Sequence, residues 1–245
     1  MILYDSDLKI FYSTLINDDK YFSGFGTKAL GDGRSFDTVV NFVQTNIPGF
    51  KTLVIPEQIH SVNVTNFSAN LIDNVEKVSE TDGVITKDVN SVLTVITADC
   101  SPMMFLDKKQ GVIGISHQGW RGSVKRLAQK MIKRIIDMGG KKEDIIVAIG
   151  PAIGQCCYDI DDERYYEFLE EFDGFADKIF HRHHGKLHLN LSQLNYLQVK
   201  ELGIPDKNID FFPFCTSCDK KRFFSFRRDS KVDYGEMLSF IVKSV

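Results

Sequence analysis

The sequence has no excess of one charge, no long apolar run and only one tryptophan. Lysine and arginine total 30 against 33 aspartate and glutamate, a formal net charge of −3. Together with a pI near 6.1, this argues against a chain built to grip nucleic acid or an anionic membrane. No segment approaches the roughly 20 consecutive apolar residues that a membrane-spanning helix needs. The N-terminal MILYDSDLKIFYS carries acids where a secretion signal carries bases, so the expected location is the cytoplasm. Cysteine is scarce and odd in number, at five, which fits reduced thiols better than a disulfide framework. Internal repeats, low-complexity tracts and Pro/Gly/Ser linkers are also missing, and one domain over 1–245 is expected.

What is present supports a packed core, with 43% hydrophobic and 26% charged residues. β-Branched and aromatic enrichment predicts strands at Leu53–Ile55, Val62–Val64, Ser91–Ile96, Met103–Leu106, Val112–Ser116, Ile145–Ile149, Phe211–Phe214 and Phe223–Phe226. Asp107-Lys-Lys-Gln-Gly111 joins two of these as a hairpin loop. Val124, Leu127, Ala128, Met131, Ile132, Ile135 and Ile136 fall on one stripe and predict a single helix over 123–138, stopped by Gly139-Gly140. Two further helices are predicted at 161–172 and 191–202. The expected fold class is α/β, a layered sandwich with a mixed β-sheet core flanked by helices.

Three chemistry-bearing residues sit where strands end. Ser91–Ile96 is apolar on both faces, as a central strand is, and runs into Thr97-Ala98-Asp99-Cys100. The hairpin partner returns through Val112–Ser116 and ends at His117, while His60 follows another β-like segment and Pro56-Glu57-Gln58. Two imidazoles and a thiolate suit zinc, and three protein ligands leave a fourth position for water or substrate, the pattern of a catalytic site. Ligand atoms within about 4 Å of one another are expected of such a triad. Immediately after His117, Gln-Gly-Trp-Arg-Gly122 leads into the helix. Its glycines, the helix N-terminus and the guanidinium of Arg121 make an expected anion site.

These residues carry a resemblance. ThrAlaAspCys-x-Pro, HisxGlyTrpArgGly, Gln-x-His and CysThr-x-Cys…PhePheSerPheArgArgAsp are similar to the motifs of the polyphenol oxidase (YfiH-like) family. The likeness begins near Phe22 and includes Thr81-Asp82-Gly83-Val84-Ile85-Thr86 and Gly150-Pro151-Ala152-Ile153. It implies a layered α/β fold related to cysteine-hydrolase toxins. The implied enzyme binds zinc, cleaves adenosine, inosine or methylthioadenosine with phosphate, and deaminates adenosine. Its partners would be small-molecule purine nucleosides and phosphate, with no nucleic acid and no membrane. The implied metal ligands fall on His60, Cys100 and His117. The sequence departs from the family pattern at Gln118, where a small residue is usual, and at Gly26-Thr27-Lys28 in place of Thr-Arg. Asp233-Tyr234-Gly235-Glu236 also lacks the usual Gly-Arg.

The family has carried a copper-oxidase label. Two histidines and a cysteine also suit a single copper, so copper is the second candidate for the triad. A multicopper cluster needs more histidine than this chain supplies. It has six, and His181, His183, His184 and His188 lie in a polar stretch expected to be a solvated loop. Cys215-Thr-Ser-Cys218 with Cys156-Cys157 would make a four-cysteine metal site or a thiol redox pair. Adjacent cysteines are poor chelators of one tetrahedral ion, and the stretch reads instead as a strand placed near the site. Arg227 and Arg228 end an apolar segment and are expected to contact phosphate or ribose, with Lys28 and Arg121. Asp99 or Glu57 is expected to shuttle protons. The competing class is a metal-free Cys-His hydrolase or amidase, acting on a peptidoglycan precursor, with Cys100 as nucleophile and His117 as base.

Overall fold

Strands that are apolar at every position need cover on both faces, and the chain provides it by stacking two sheets between helices. The computed structural model describes residues 1–69, 74–230 and 233–244. One sheet has seven strands in the spatial order Ile2–Asp5, Ile10–Ser13, Tyr21–Gly26, Met237–Lys243, Ser91–Thr97, Thr52–Pro56 and Val75–Val78. Its last two pairings are parallel and the others antiparallel. The second sheet has six strands, in the order Ile209–Phe211, Ile145–Ile149, Ser101–Asp107, Val112–Gln118, Gly83–Thr86 and Val64–Asn66. A small three-stranded sheet stands apart, built from Asp159–Ile160, Lys186–Leu189 and Phe180–His183.

Alternation along the strands assigns each residue to a layer. Leu93 and Val95 of the first sheet meet Met104, Leu106, Ile113 and Ile115 of the second in the central core. The outward neighbours Val92, Leu238 and Phe240 receive Val39, Phe42 and Val43 from helix Phe36–Asn46. On the far side, Met103, Phe105 and Val147 pack under helix Leu127–Asp137 and Val199 of helix Leu191–Glu201. The result is four layers, helix–sheet–sheet–helix: the expected layered α/β sandwich with a mixed core, the core being divided between two sheets. No helix among the described residues is long and apolar enough to cross a membrane.

Several expected elements differ. The helix expected over 123–138 is two pieces, Trp120–Val124 and Leu127–Asp137, broken by Arg126 at φ +62°. Arg126 is held there by ion pairs with Glu171 and Glu201 and by its guanidinium lying 4.6 Å from the centre of the Phe172 ring. The strand expected at Phe211–Phe214 ends at Phe211, since Pro213 offers no donor to a ladder. Phe223–Phe226 is not a strand: Ser225 caps a helical turn, Phe226–Asp229, by accepting from Arg228 N–H. The histidine-rich stretch is a hairpin, turning at His184 and Gly185, both at positive φ. The sequence reading had no strands for the N-terminal Ile2–Asp5, Ile10–Ser13 and Tyr21–Gly26 or for Met237–Lys243.

Leu93 is fully buried between the sheets, so Leu93→Ala is expected to lower stability by about 2–5 kcal/mol in urea unfolding. Tyr166, 64% exposed, is the control: Tyr166→Ala should change stability by no more than about 0.5 kcal/mol.

Candidate active site

The chain passes from one sheet to the other at Thr97–Ser101, and this crossing builds the site. Ser91–Thr97 belongs to the seven-stranded sheet and Ser101–Asp107 to the six-stranded one. Asp99 makes the corner at φ +80°, a backbone region that favours Gly, Asn and Asp. The expected hairpin is present, and its register sets His117 opposite Pro102 and Gln118 opposite Ser101, so Cys100 emerges beside His117. His60 arrives from the loop after Thr52–Pro56, at φ +60°. The ligand atoms of His60, Cys100 and His117 lie within 4.8 Å of one another, and the two imidazoles meet edge to face at 4.7 Å.

Asp82, which the sequence reading passed over, orders this triad. It is wholly buried. One oxygen accepts from His117 Nδ1 at 2.8 Å and from the His60 N–H at 3.1 Å. The other accepts from the N–H of Ile59 at 3.2 Å and of Ser61 at 2.6 Å, and from Ser61 Oγ at 2.7 Å. Burial opposes its charge, but the hydrogen bonds from His117 and Ser61 outweigh that and hold its pKa below the usual carboxylate range. In the neutral ring, Nδ1 donating to Asp82 leaves Nε2 of His117 as the acceptor that a metal ligand must be. Asp82 immediately precedes Gly83–Thr86, the strand that pairs with the His117 strand, Gly83 opposite Ser116.

Cys100 and His117 perturb each other in opposite senses. The enclosed position of Cys100 works against ionisation, yet the charge of His117 and hydrogen bonds from His117 and His60 bring its thiol pKa down. For His117, burial likewise disfavours the charged ring, and Cys100 and Asp82 overcome it and raise the pKa. The thiolate of Cys100, which metal ligation or nucleophilic attack requires, is therefore within reach near neutral pH. Gly119 leaves room in front of the triad. A Cβ there would come within 2.9 Å of His60 Cδ2, 3.3 Å of Cys100 Sγ and 3.6 Å of His117 Cε1.

The triad lies at a cavity of about 700 Å³, walled by Phe36, Trp120, Tyr158, Phe226 and Tyr234. Of the expected anion-binding residues, Arg121 and Arg227 line it. Arg121 is exposed and stacks 4.4 Å from the centre of the Trp120 ring, at the start of the short helix Trp120–Val124. Arg227 is engaged by the Asp159 carboxylate and by Asp159 O at 3.1 Å. Arg228 and Lys28 face a separate depression; Arg228 is bound to Asp229 and to the carbonyls of Thr216, Ser217 and Phe223. Three further cations, Arg34, Lys77 and Arg164, line the cavity wall.

Asp99, expected as a proton shuttle, lines the cavity with its carboxylate already occupied. It accepts from Thr216 Oγ1 at 2.6 Å, Ser225 Oγ at 2.9 Å and Arg227 N–H at 2.7 Å. Glu57 lies outside the cavity and accepts from Glu80 N–H at 3.3 Å. The carboxyl group better placed is Glu236. It lines the cavity, and burial raises its pKa above the usual range despite the nearby charges of His117 and Arg34. It precedes Met237–Lys243, whose register sets Met237 opposite Thr97. Missing that strand meant missing Glu236. None of His181, His183, His184 or His188 lines the cavity.

Residues 38–244 match the family described as multi-copper polyphenol oxidoreductase laccase. Among curated relatives, a purine nucleoside phosphorylase of Bacteroides thetaiotaomicron is 32% identical over 197 residues, 78% of this chain and 73% of the relative. The adenosine deaminase RL5, of unknown prokaryotic origin, is 34% identical over 182 residues, 72% of this chain and 70% of the relative. Among solved structures, YfiH of Bacillus licheniformis aligns with a TM-score of 0.79 at 29% identity, covering 91% of this chain and 92% of that one. YlmD of Geobacillus stearothermophilus aligns with 0.80 at 26% identity, covering 95% and 94%. With its corner triad and its motifs in this order, the chain belongs to the YfiH-like, polyphenol oxidoreductase laccase family.

Proposed function

We propose that this chain is a zinc-dependent enzyme of purine nucleosides, cleaving adenosine, inosine or methylthioadenosine with phosphate and deaminating adenosine. The observation that carries the reading is the three-ligand set His60–Cys100–His117 opening onto an aromatic cavity of about 700 Å³. Relatives named purine nucleoside phosphorylase and adenosine deaminase support it. A borderline donor set of two imidazoles and one thiolate fits zinc, and the space left by Gly119 fits an ion with an open position. Copper suits the same donors, but no further histidine lines the cavity to build the cluster a multicopper oxidase requires. We read residues 1–245 as one domain, because the cavity takes its walls from Gly33 through Glu236.

His60, Cys100 and His117 would hold the ion; bound there, it supplies a Lewis acid that makes water a competent nucleophile near neutral pH. The protein's own groups do the rest. Tyr158 and Phe226 contribute aromatic surface to the cavity wall that suits a planar base and excludes water. Glu236, with its pKa raised, keeps a proton available to a purine nitrogen as the base departs or its amino group is replaced. Arg121 presents a planar cation to phosphate oxygens from the cavity wall. Asp99 positions: through Thr216, Ser225 and Arg227 it fixes the wall next to Cys100. The metal-free Cys-His hydrolase remains the rival, favoured by the lowered pKa of Cys100.

A panel of nucleosides, incubated with and without phosphate and followed for base and inosine release, tests the reading. Turnover of none of them, with an amide substrate cleaved instead, would overturn it. Changing Cys100 to Ala is expected to remove one zinc per chain together with activity; zinc retained in full would exclude Cys100 as a ligand. Asp82→Asn should weaken zinc binding about 10–100-fold in chelator competition, because His117 loses the partner that orients it. Arg121→Lys keeps the charge but loses the fork. It should raise the phosphate concentration needed for base release and change adenosine-to-inosine conversion much less. Equal loss of both would place Arg121 in nucleoside binding.

A further inference from the structure

Four of the five cysteines lie away from the triad and come together at one corner. Cys156 and Cys157 follow strand Ile145–Ile149, and Cys215 and Cys218 follow Ile209–Phe211, its parallel neighbour. Their sulfurs all lie within 4.8 Å of one another, with Cys218 Sγ 3.4 Å from Cys156 Sγ and 3.3 Å from Cys157 Sγ. Four sulfurs at ~2.3 Å from a tetrahedral zinc stand about 3.8 Å apart. The two closest separations fall a few tenths of an ångström short of that value, and none of the four sulfurs lies more than 4.8 Å from another. Cys218 is nearly equidistant from two neighbours, which distinguishes neither as a disulfide partner and suits a shared central ion.

The backbone answers the objection that adjacent cysteines chelate poorly. Cys157 N–H and Tyr158 N–H both donate to Gly154 O, at 3.0 and 3.1 Å, and this tight turn brings both sulfurs to the Cys215–Cys218 turn. Gly154 is required: a Cβ there would meet Cys215 Cβ at 2.9 Å and the sulfurs of Cys156 and Cys215 at 3.3 and 3.4 Å. Its N–H donates to Cys215 Sγ at 3.1 Å, a contact that favours a thiolate. On binding a divalent ion each thiol releases its proton to solvent.

We propose that Cys156, Cys157, Cys215 and Cys218 bind a zinc ion in a closed, all-thiolate structural site separate from the His60–Cys100–His117 centre. Its role is to staple two segments of the cavity wall. Ile153 and Tyr158, which flank the first cysteine pair, line the cavity. Thr216, between the second pair, donates to Asp99 Oδ1, and its own N–H donates to Ala152 O at 3.0 Å. An ion at the corner therefore supports the residues that hold Asp99, the neighbour of Cys100.

The Cys100→Ala protein is the background for the test, since its remaining cysteines are those of the cluster. Titrated with cobalt(II), it should bind one ion per chain with thiolate-to-metal charge-transfer absorption. Its four thiols should resist iodoacetamide until a chelator is added. Adding Cys218→Ser should abolish the stoichiometric binding and lower the Tm of the purified protein. If that variant does not fold, alkylation of the Cys100→Ala protein with and without chelator decides the matter alone. No cobalt uptake with four freely alkylated thiols would overturn the site. A native disulfide from Cys218 to Cys156 or Cys157, found by non-reducing peptide mapping, would overturn it as well. Neither result bears on the zinc of the triad, which is counted separately as the difference between wild-type and Cys100→Ala proteins.

Discussion

A carboxylate without access to water is costly unless donors saturate both of its oxygens. Asp82 meets that condition with five, two of them contributed by the histidines of the triad. The dependence runs both ways. The donors keep the buried charge tolerable, and the charge fixes the His60 backbone and the His117 ring. Each backbone contact comes from the tight His60 loop, so its left-handed conformation and the saturation of Asp82 are one arrangement. Asp99 repeats the device on the other side of Cys100 with three donors. Glu236 is the contrasting carboxyl group, drawn into the cavity without such donors and pushed toward its protonated form. Environments that drive carboxyl groups apart in this way separate structural charge from transferable proton.

The sheets provide the second constraint. Parallel and antiparallel pairings meet in the seven-stranded sheet at the inner strand Ser91–Thr97, which leaves it to begin the other sheet within four residues. Such an abrupt exit needs a residue that tolerates positive φ, and Asp99 provides both the conformation and a side chain to lock it. Cys100 follows directly from that corner. The hairpin register then brings His117 to it from the partner strand.

How much of this was legible in the sequence depended on the range of the interactions. Ile145–Ile149 matches its strand residue for residue, and the Asp107–Gly111 loop follows from local turn chemistry, because both are set by near neighbours. The convergence of His60, Cys100 and His117 was readable because each lies at or shortly after the end of a strand. Asp82 was not, since its importance lies in contacts with residues 59–61 and 117 that no local pattern announces. The helix broken at Arg126 looked continuous because its apolar stripe continues through the break; the ion pairs with Glu171 and Glu201 that hold the break come from distant helices. Phe223–Phe226 looked like a strand by composition, while its polar neighbours Ser225 and Arg227 were committed to Asp99. The cysteine cluster ran against a spacing rule that a single tight turn at Gly154 suspends.

The sheet-switching corner also governs how the molecule opens. Local fluctuations release segments that few buried contacts hold, whereas core strands open only with the whole fold. Thr97 and Ser101 are each paired within a different sheet, and both sheets close on the same core. The segment between them cannot loosen without unpairing one sheet or separating the two. The amides of the strands on either side, Ser91–Thr97 and Ser101–Asp107, thus belong with the slow-exchanging set, and the rim residues Arg121 and Phe226 with the fast one. The reactive centre is built into the most durable part of the chain, and adjustment to different substrates falls to its exposed border.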